Sequence, residues 1–233
     1  MSLPFRAQDE RLFLDSEPKW RSRLGPGWVG TKILGLGSFG VVGLWEYEGH
    51  ASTTPRITQV VVKMSEAKLP DFTEIQPFPK SKIDEGITLK RLAVCGSQHI
   101  VRIYGGNRLG DRFGEMGEVV KLFLEYCPNG DMGIFLSKYE TEPLAPLAEV
   151  DVWAIFHCMA LGLAVMARGT EDVDKPEWCG REKNVELVHF DLKPNNIFLG
   201  RRDQRHMRMP VAKVCIKSRA EGYERKWGLP FRC

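Results

Sequence analysis

The segment HFDLKPNNIFL, residues 189–199, carries more chemical information than any other part of this chain. It places an imidazole, a carboxylate, an ammonium and two carboxamides within residues 189–196, between the apolar pair Leu187-Val188 and an apolar run ending at Leu199. Such a set of polar groups at fixed offsets rarely arises by chance. The segment therefore predicts a chemical site on a short loop, and the motifs upstream of it show what that site acts on.

A glycine-rich motif, GLGSFGVV, occupies residues 35–42. Gly35, Gly37 and Gly40 have the spacing G-x-G-x-x-G, and without Cβ atoms their backbone N–H groups can approach phosphate oxygens. A β-branched run follows the last glycine, whereas dinucleotide-binding folds continue into a helix. The context favours a strand–turn–strand flap over ATP. Taken alone, the motif also fits an ordinary glycine hairpin.

Lys63 closes the apolar run VVVK, residues 60–63. A lysine at the end of a buried strand must find an anion or lose its charge, so we predict nucleotide phosphates and a carboxylate as its partners. Glu85, on the inward face of the next predicted helix, is the candidate carboxylate. A strand-end lysine pointing into water and a solvated pair of Asp84 and Glu85 are the alternatives.

The loop at residues 189–196 resembles the catalytic loop of eukaryotic protein kinases, H-R-D-L-K-P-x-N, with one mismatch at Phe190. The resemblance implies that Asp191 orients the substrate hydroxyl and accepts its proton, and that Lys193 neutralises the transferring phosphoryl group. It further implies that Asn196 holds a magnesium ion and that His189 is structural. The D-L-K-P form is similar to serine/threonine kinases rather than tyrosine kinases.

The stretch LFLEYCPNGD, residues 122–131, is similar to the kinase hinge. The resemblance implies that backbone groups of Glu125 and Cys127 bind the adenine edge, and that Leu124 guards the back of the pocket. It implies apolar walls from Val42 and Val61. Asp131 stands where the family often has a ribose-binding carboxylate, although an aspartate in a turn explains it equally well.

The resemblance covers residues 28–215 and implies an α+β, protein-kinase-like bilobal fold. Its parts are a β-rich N-terminal lobe with one main helix and a partial helical C-terminal lobe. The expected boundaries are a leader at 1–27, the N-terminal lobe at 28–126, the partial C-terminal lobe at 127–215 and a non-homologous tail at 216–233. The implied cofactors are ATP and Mg²⁺, and the implied partner is a protein with serine or threonine hydroxyls, without nucleic acid or membrane.

Two departures from the family pattern bear on activity. Phe190 replaces the arginine that gathers an activation-loop phosphate, and an apolar ring cannot pair with phosphate. After residues 211–215 the chain reads Ile216-Lys217-Ser218 where the family has the magnesium-binding Asp-Phe-Gly. We expect a chain truncated before that segment and impaired in phosphotransfer. Its basic, aperiodic tail is expected to be an artefact of gene prediction, such as a retained intron or a frameshift.

Local patterns predict a coarse secondary structure. The strand candidates are residues 40–47, 59–63, 99–104 and 119–126, and the helix candidates are 82–94, 131–138 and 147–166. The insert at 169–186 is longer than the family usually has. It is either a solvated variable loop or a docking loop built on Trp178.

Composition narrows the class of protein. The 233 residues are 43% hydrophobic and 27% charged, with a formal net charge of +3, which demands neither a nucleic-acid nor a membrane partner. The six cysteines form no C-x-x-C pair, so no zinc site or redox dithiol is signalled. The apolar stretch 152–167 is shorter than the roughly 20 residues of a membrane span. We therefore expect a soluble protein of the cytoplasm or nucleus.

Two other functions remain open on the sequence. A pseudokinase, acting as a nucleotide-binding or scaffolding module, is favoured by the missing Asp-Phe-Gly and opposed by the intact set Lys63, Asp191, Lys193 and Asn196. Nucleic-acid binding rests on arginines that a solvated basic loop explains equally well, namely Arg201, Arg202, Arg205 and Arg208.

Overall fold

The computed structural model describes residues 24–37, 40–49, 56–66, 80–106, 119–141, 146–172, 174, 185–216 and 221–224. Contacts divide the chain into two compact units. The first comprises the described residues up to Lys82 together with Ile103–Tyr126, and the second comprises Ile83–Arg102 and the described residues from Cys127 onward.

The first unit is built on a five-stranded antiparallel sheet. Its strands are β1 (Trp28–Gly37), β2 (Gly40–Tyr47), β3 (Gln59–Glu66), β4 (Ile103–Gly106) and β5 (Val119–Glu125), in the order β1-β2-β3-β5-β4. The predicted strands at 40–47, 59–63 and 119–126 are confirmed. The glycine motif joins two antiparallel strands, with Gly37 opposite Gly40, as the strand–turn–strand prediction required.

One face of this sheet carries an apolar core. The core side chains are Trp28, Val41, Trp45, Val60, Val62 and Phe123. The Trp28 and Tyr47 rings pack edge to face at 5.7 Å between centroids. Because side chains alternate across a strand, the burial of Val60 and Val62 directs Val61 and Lys63 to the opposite face.

The predicted strand at 99–104 is wrong at residues 99–102. Only Ile103–Gly106 joins the sheet. The preceding residues pair elsewhere, because the Val101 N–H donates to the Val214 carbonyl at 3.0 Å and the Val214 N–H donates to the His99 carbonyl at 2.8 Å. Residues 99–101 therefore pair with Val214 in the second unit, whereas Ile103 begins a strand of the five-stranded sheet.

The second unit contains helices and short strand pairs. The helices are α1 (Lys80–Ala93, whose first residues belong to the first unit), α2 (Met132–Thr141) and α3 (Glu149–Arg168), with a single 3₁₀ turn at Pro194–Asn196. The strands are β6 (Val185–Val188), β7 (Ile197–Leu199), β8 (Ala212–Val214) and β9 (Glu221–Glu224), with β6 paired to β9 and β7 to β8. Strand β9 was not predicted, because the tail was expected to be aperiodic.

Helix α3 is set by its apolar composition and its ends. It begins at Glu149 rather than 147, since Ala148 has an extended backbone. It ends at Arg168, and the next residue, Gly169, adopts φ 78° and donates its N–H to the Val165 carbonyl, as a left-handed cap does. Gly162 lets α3 approach its neighbours closely: a Cβ there would lie 2.8 Å from the His99 carbonyl oxygen and 2.8 Å from Val214 Cγ2.

Within the described part of the chain, α3 is also the one helix that could cross a membrane on length and composition. It has 20 residues and a mean hydropathy of 1.8 over its apolar window. The argument that the apolar stretch 152–167 is too short to span a membrane therefore does not hold for the whole helix. Core helices pass the same test, which makes this weak evidence for a span.

The chain is therefore a mixture of helix and sheet, and its five-stranded antiparallel sheet is compatible with the N-terminal lobe of a kinase-like fold. Trp178 of the predicted docking loop lies outside the described residues.

Candidate active site

The loop at 189–191 is held in a tight turn. Phe190 has φ 47°, which is uncommon for a non-glycine residue, and the Asp191 N–H donates to the His189 carbonyl at 2.5 Å. The buried His189 ring stabilises the turn through two hydrogen bonds. Its Nε2–H donates to the Cys215 carbonyl at 2.9 Å, and its Nδ1 accepts from the Asp191 N–H at 3.3 Å. His189 thus positions Asp191 while remaining away from solvent.

Asp191, Lys193 and Asn196 converge on one another. Lys193 Nζ lies 3.0 Å from Asp191 Oδ1, and Asn196 Nδ2 donates to Asp191 Oδ2 at 3.0 Å and to the Asp191 carbonyl at 2.7 Å. The hydrogen bonds from Lys193 and then from Asn196 hold the pKa of the Asp191 carboxyl below its usual value. The site therefore presents an ionised carboxylate, able to accept a hydroxyl proton, beside an ammonium able to neutralise an anion.

Asn196 has the features of a metal ligand. Its side chain is fully buried, and its Oδ1 makes no hydrogen bond within the described part of the chain. An unpartnered buried acceptor is costly unless an unseen cation or water satisfies it. Carboxamide oxygens are among the ligands that Mg²⁺ takes in proteins, so Asn196 Oδ1 fits this ion.

Replacing Lys193 by methionine is expected to raise the pKa of Asp191 toward its usual value, because the largest cause of the depression is removed. A ¹³C NMR titration of the Asp191 carboxyl carbon would measure the midpoint. Asp203, whose pKa is lowered by a hydrogen bond from His206, serves as an internal control and should keep its midpoint. An unchanged Asp191 midpoint would show that the ammonium does not contact this carboxylate in solution.

In the first unit, four predicted nucleotide-binding residues share one face of the sheet. The strand register pairs Val42 with Lys63 and Val61 with Leu124, and Val61 lies two residues before Lys63. Residues opposite one another and two apart project from the same face. This is the face opposite to the apolar core, and it carries one ammonium and three apolar side chains, of which Val61 and Leu124 are buried.

The remaining predicted residues lie in regular positions of their elements. Gly35 pairs with Val42 across β1 and β2, next to the closing pair of Gly37 and Gly40. Glu85 is buried in α1, with 4% of its surface exposed, which does not fit the alternative of a solvated acidic pair. Glu125 ends β5, and the buried Cys127 follows it, where the backbone leaves the sheet.

Asp131 caps a helix. Its Oδ1 accepts the Ile134 N–H at 2.9 Å, at the start of α2, and its backbone bridges to Phe198. This contact supports the interpretation of Asp131 as a turn residue and leaves its other carboxylate oxygen for a ligand.

Replacing Asp131 by alanine is expected to lower the free energy of unfolding by about 1 kcal/mol, because the α2 N-terminus loses its cap. Asp131→Asn should keep most of the stability, since asparagine is an equally good cap. Urea unfolding of the three proteins would measure the difference. Equal losses for alanine and asparagine would assign the effect to the charge and not to the cap.

Ile216 stands where the family resemblance expects an aspartate. It follows Cys215, whose N–H donates to the Asn196 carbonyl at 2.9 Å. Only 1% of the surface of Ile216 is exposed. A buried apolar side chain therefore directly follows the residue whose N–H is bonded to Asn196. The sequence could not show that the Cys215 carbonyl is also the anchor of His189.

No family model matches the chain. It is similar to serine/threonine-protein kinase ATG1a of Arabidopsis thaliana, with 26% identity over 170 residues, or 73% of this chain. The chain resembles a serine/threonine protein kinase. It spans 21% of the length of that relative, so the similarity supports a kinase-like relationship and leaves the activity of the whole protein to be tested.

Proposed function

We propose that this chain is the ATP-binding part of a serine/threonine protein kinase, impaired in phosphotransfer as it stands. The observation that carries the proposal is the cluster of Asp191, Lys193 and Asn196. In it a carboxylate and an ammonium lie beside a carboxamide oxygen that has no partner in the described part of the chain. This is the set of groups that phosphoryl transfer to a hydroxyl requires.

Each group of the cluster has a defined role in the proposed reaction. The oxygen of a protein serine or threonine attacks the γ-phosphorus, the bond to the β–γ bridging oxygen breaks, and the hydroxyl proton passes to Asp191. Lys193 neutralises charge on the transferring group. Asn196 Oδ1 would hold a Mg²⁺ ion, which screens the phosphate charges when bound.

The proposal assigns nucleotide binding mainly to the first unit. Lys63, paired with Glu85, would bind phosphates, and the glycines Gly35, Gly37 and Gly40 would cover them. The adenosine moiety would contact Val42, Val61, Leu124, Glu125, Cys127 and Asp131. In this reading residues 28–126 and 127–215 are the two lobes of a bilobal fold, acting in the cytoplasm or nucleus.

Phe190 limits how the proposed enzyme could be regulated. Its ring is 52% exposed and offers no hydrogen-bond donor. Because phosphate recognition needs charged donors, activation-loop phosphorylation is not expected to act through this position.

Thermal unfolding with ATP tests the proposal, because a ligand that binds only the folded chain stabilises it by about 2.7 kcal/mol at 100 times its Kd. We expect the purified chain to be stabilised by ATP, and Lys63→Met to lose most of this effect. Lys32→Met is the matched control, since Lys32 is an exposed lysine of the same sheet. Absence of stabilisation, or an equal loss in both variants, would contradict nucleotide binding at Lys63.

A pseudokinase is the second candidate, and the apolar Ile216 favours it. Both candidates predict ATP binding, so Mg²⁺ separates them. A kinase site should bind ATP more tightly with Mg²⁺ and transfer phosphate, whereas a nucleotide-binding scaffold should show the same stabilisation with and without the ion and no transfer.

A further inference from the structure

We propose that His99, Cys158 and His206 form a zinc-binding site in the second unit, separate from the proposed kinase chemistry. One nitrogen of each imidazole and the Cys158 Sγ all lie within 4.8 Å of one another. The three residues come from three segments: the strand-like run before β4, helix α3, and the loop between β7 and β8. Imidazole nitrogen and thiolate sulfur are both ligands that Zn²⁺ accepts.

Both imidazoles are oriented as metal-binding histidines are. His99 Nδ1 lies 2.8 Å from Glu171 Oε1, and His206 Nδ1 lies 2.8 Å from Asp203 Oδ1. A carboxylate that accepts the Nδ1–H fixes the ring and leaves the Nε2 lone pair for the metal. The rings stand at 66° with their centroids 5.5 Å apart, close enough to face a common ion.

The second, independent observation is an unpartnered nitrogen. His99 is 2% exposed, and its Nε2 makes no hydrogen bond within the described residues. Buried ring nitrogens normally find a partner, because leaving one unsatisfied costs about as much as a lost hydrogen bond. A zinc ion would satisfy this atom.

The charged side chains around the cluster balance one another, so the Cys158 thiolate would supply the net negative charge for a cation. Burial lowers the pKa of the His99 imidazole and raises that of the Cys158 thiol. Zinc would replace the thiol proton. Glu171 and Asp203 contribute two negative charges, while Lys213 near His99 and Arg205 near Glu171 contribute two positive ones.

The surroundings leave room for access and for one more ligand. His99 and Cys158 are buried, whereas the His206 side chain is 12% exposed and gives the ion a route from solvent. Three protein ligands leave one tetrahedral position, which a water molecule would fill. The bound ion would cross-link α3 to two segments that are distant from it in sequence.

Cobalt substitution tests the site directly. After treatment of the full chain with a chelator, we expect one Zn²⁺ to rebind per chain, and Co²⁺ to produce a thiolate-to-metal charge-transfer band and tetrahedral d–d bands. Cys158→Ser should abolish the charge-transfer band, and His206→Asn should abolish tight binding. Asp203→Asn, which only removes the carboxylate behind His206, should weaken zinc binding about 10–100-fold.

Matched controls are available beside the cluster. His157→Asn changes an exposed histidine next to Cys158, and Cys95→Ser changes a half-buried cysteine outside the cluster, so both variants should bind like the unaltered chain. If Cys158→Ser fails to fold, the partly exposed His206 still decides the outcome. Absence of stoichiometric binding, or equal binding by His206→Asn and the unaltered chain, would overturn the proposal. ATP stabilisation measured with chelator present reports on the kinase proposal separately.

Discussion

The Ile216→Asp variant is expected to transfer phosphate from ATP, in the presence of Mg²⁺, about 10³-fold faster than the unaltered chain. The introduced carboxylate would supply a second magnesium ligand, one residue after Cys215, whose N–H donates to the Asn196 carbonyl. A metal contact worth several kcal/mol in the transition state corresponds to this factor at ~1.4 kcal/mol per tenfold. Transfer of labelled phosphate to a serine-containing protein and to water, measured over a range of Mg²⁺ concentrations, gives the rates of the variant and of the unaltered chain.

The double variant Ile216→Asp with Asp191→Asn serves as the control, and it should return to the low rate, because the carboxylate that accepts the proton is gone. Ile216 is 1% exposed, so the new carboxylate is buried when no ion is bound, and the folded state of each variant must be checked with Mg²⁺ present. A normal magnesium-dependent rate in the unaltered chain would refute the expected impairment. An unchanged rate in Ile216→Asp would refute the role given to this position.

Gly162→Leu is expected to lower the free energy of unfolding by more than about 3 kcal/mol, and Gly162→Ala by about 1 kcal/mol. Alanine gains up to ~1 kcal/mol in helix propensity, but its Cβ would lie 2.8 Å from both the His99 carbonyl oxygen and Val214 Cγ2. Overpacking of this kind costs roughly 1–3 kcal/mol and increases with side-chain size, so the contact outweighs the propensity. Urea unfolding in the presence of a chelator measures both variants without metal.

Gly35→Ala is the matched control for the glycine substitution. No atom lies within 4 Å of a Cβ built at Gly35, and its φ is not positive, so the expected change is within about 0.5 kcal/mol. A stabilised Gly162→Ala variant would show that α3 can move away from the His99 backbone at little cost.

Sequence patterns predicted those elements that are determined by residues close together in the chain. Strands β2 and β3 were predicted from β-branched runs, and β1 was implied by the strand–turn–strand interpretation of the glycine motif. The Asp191 cluster is contained within six residues of one loop. By contrast, residues 99–101 pair with β8, more than a hundred positions away, and no periodicity within the run signals that partner. The same limit hid strand β9, which exists through its pairing with β6.

The two candidate sites differ in the same respect, because one lies within a single loop and the other is assembled from separate segments. The types and offsets of Asp191, Lys193 and Asn196 could be predicted from the sequence. The full burial of Asn196, whose Oδ1 has no hydrogen-bond partner among the described residues, could not. The grouping of His99, Cys158 and His206 follows no metal-ligand spacing, because three separate segments bring these residues together. A spacing pattern finds a site only when one stretch of chain supplies most of its ligands.

The turn at Phe190 has a kinetic consequence. The bonds that hold Asp191 in place come from His189, Lys193 and Asn196, all within the same loop, so the loop is pre-organised before any nucleotide arrives. Ordering entropy is then lost during folding and not during association. Nucleotide binding to this loop should proceed in one exponential phase whose observed rate rises linearly with ligand concentration, without a slow isomerisation step.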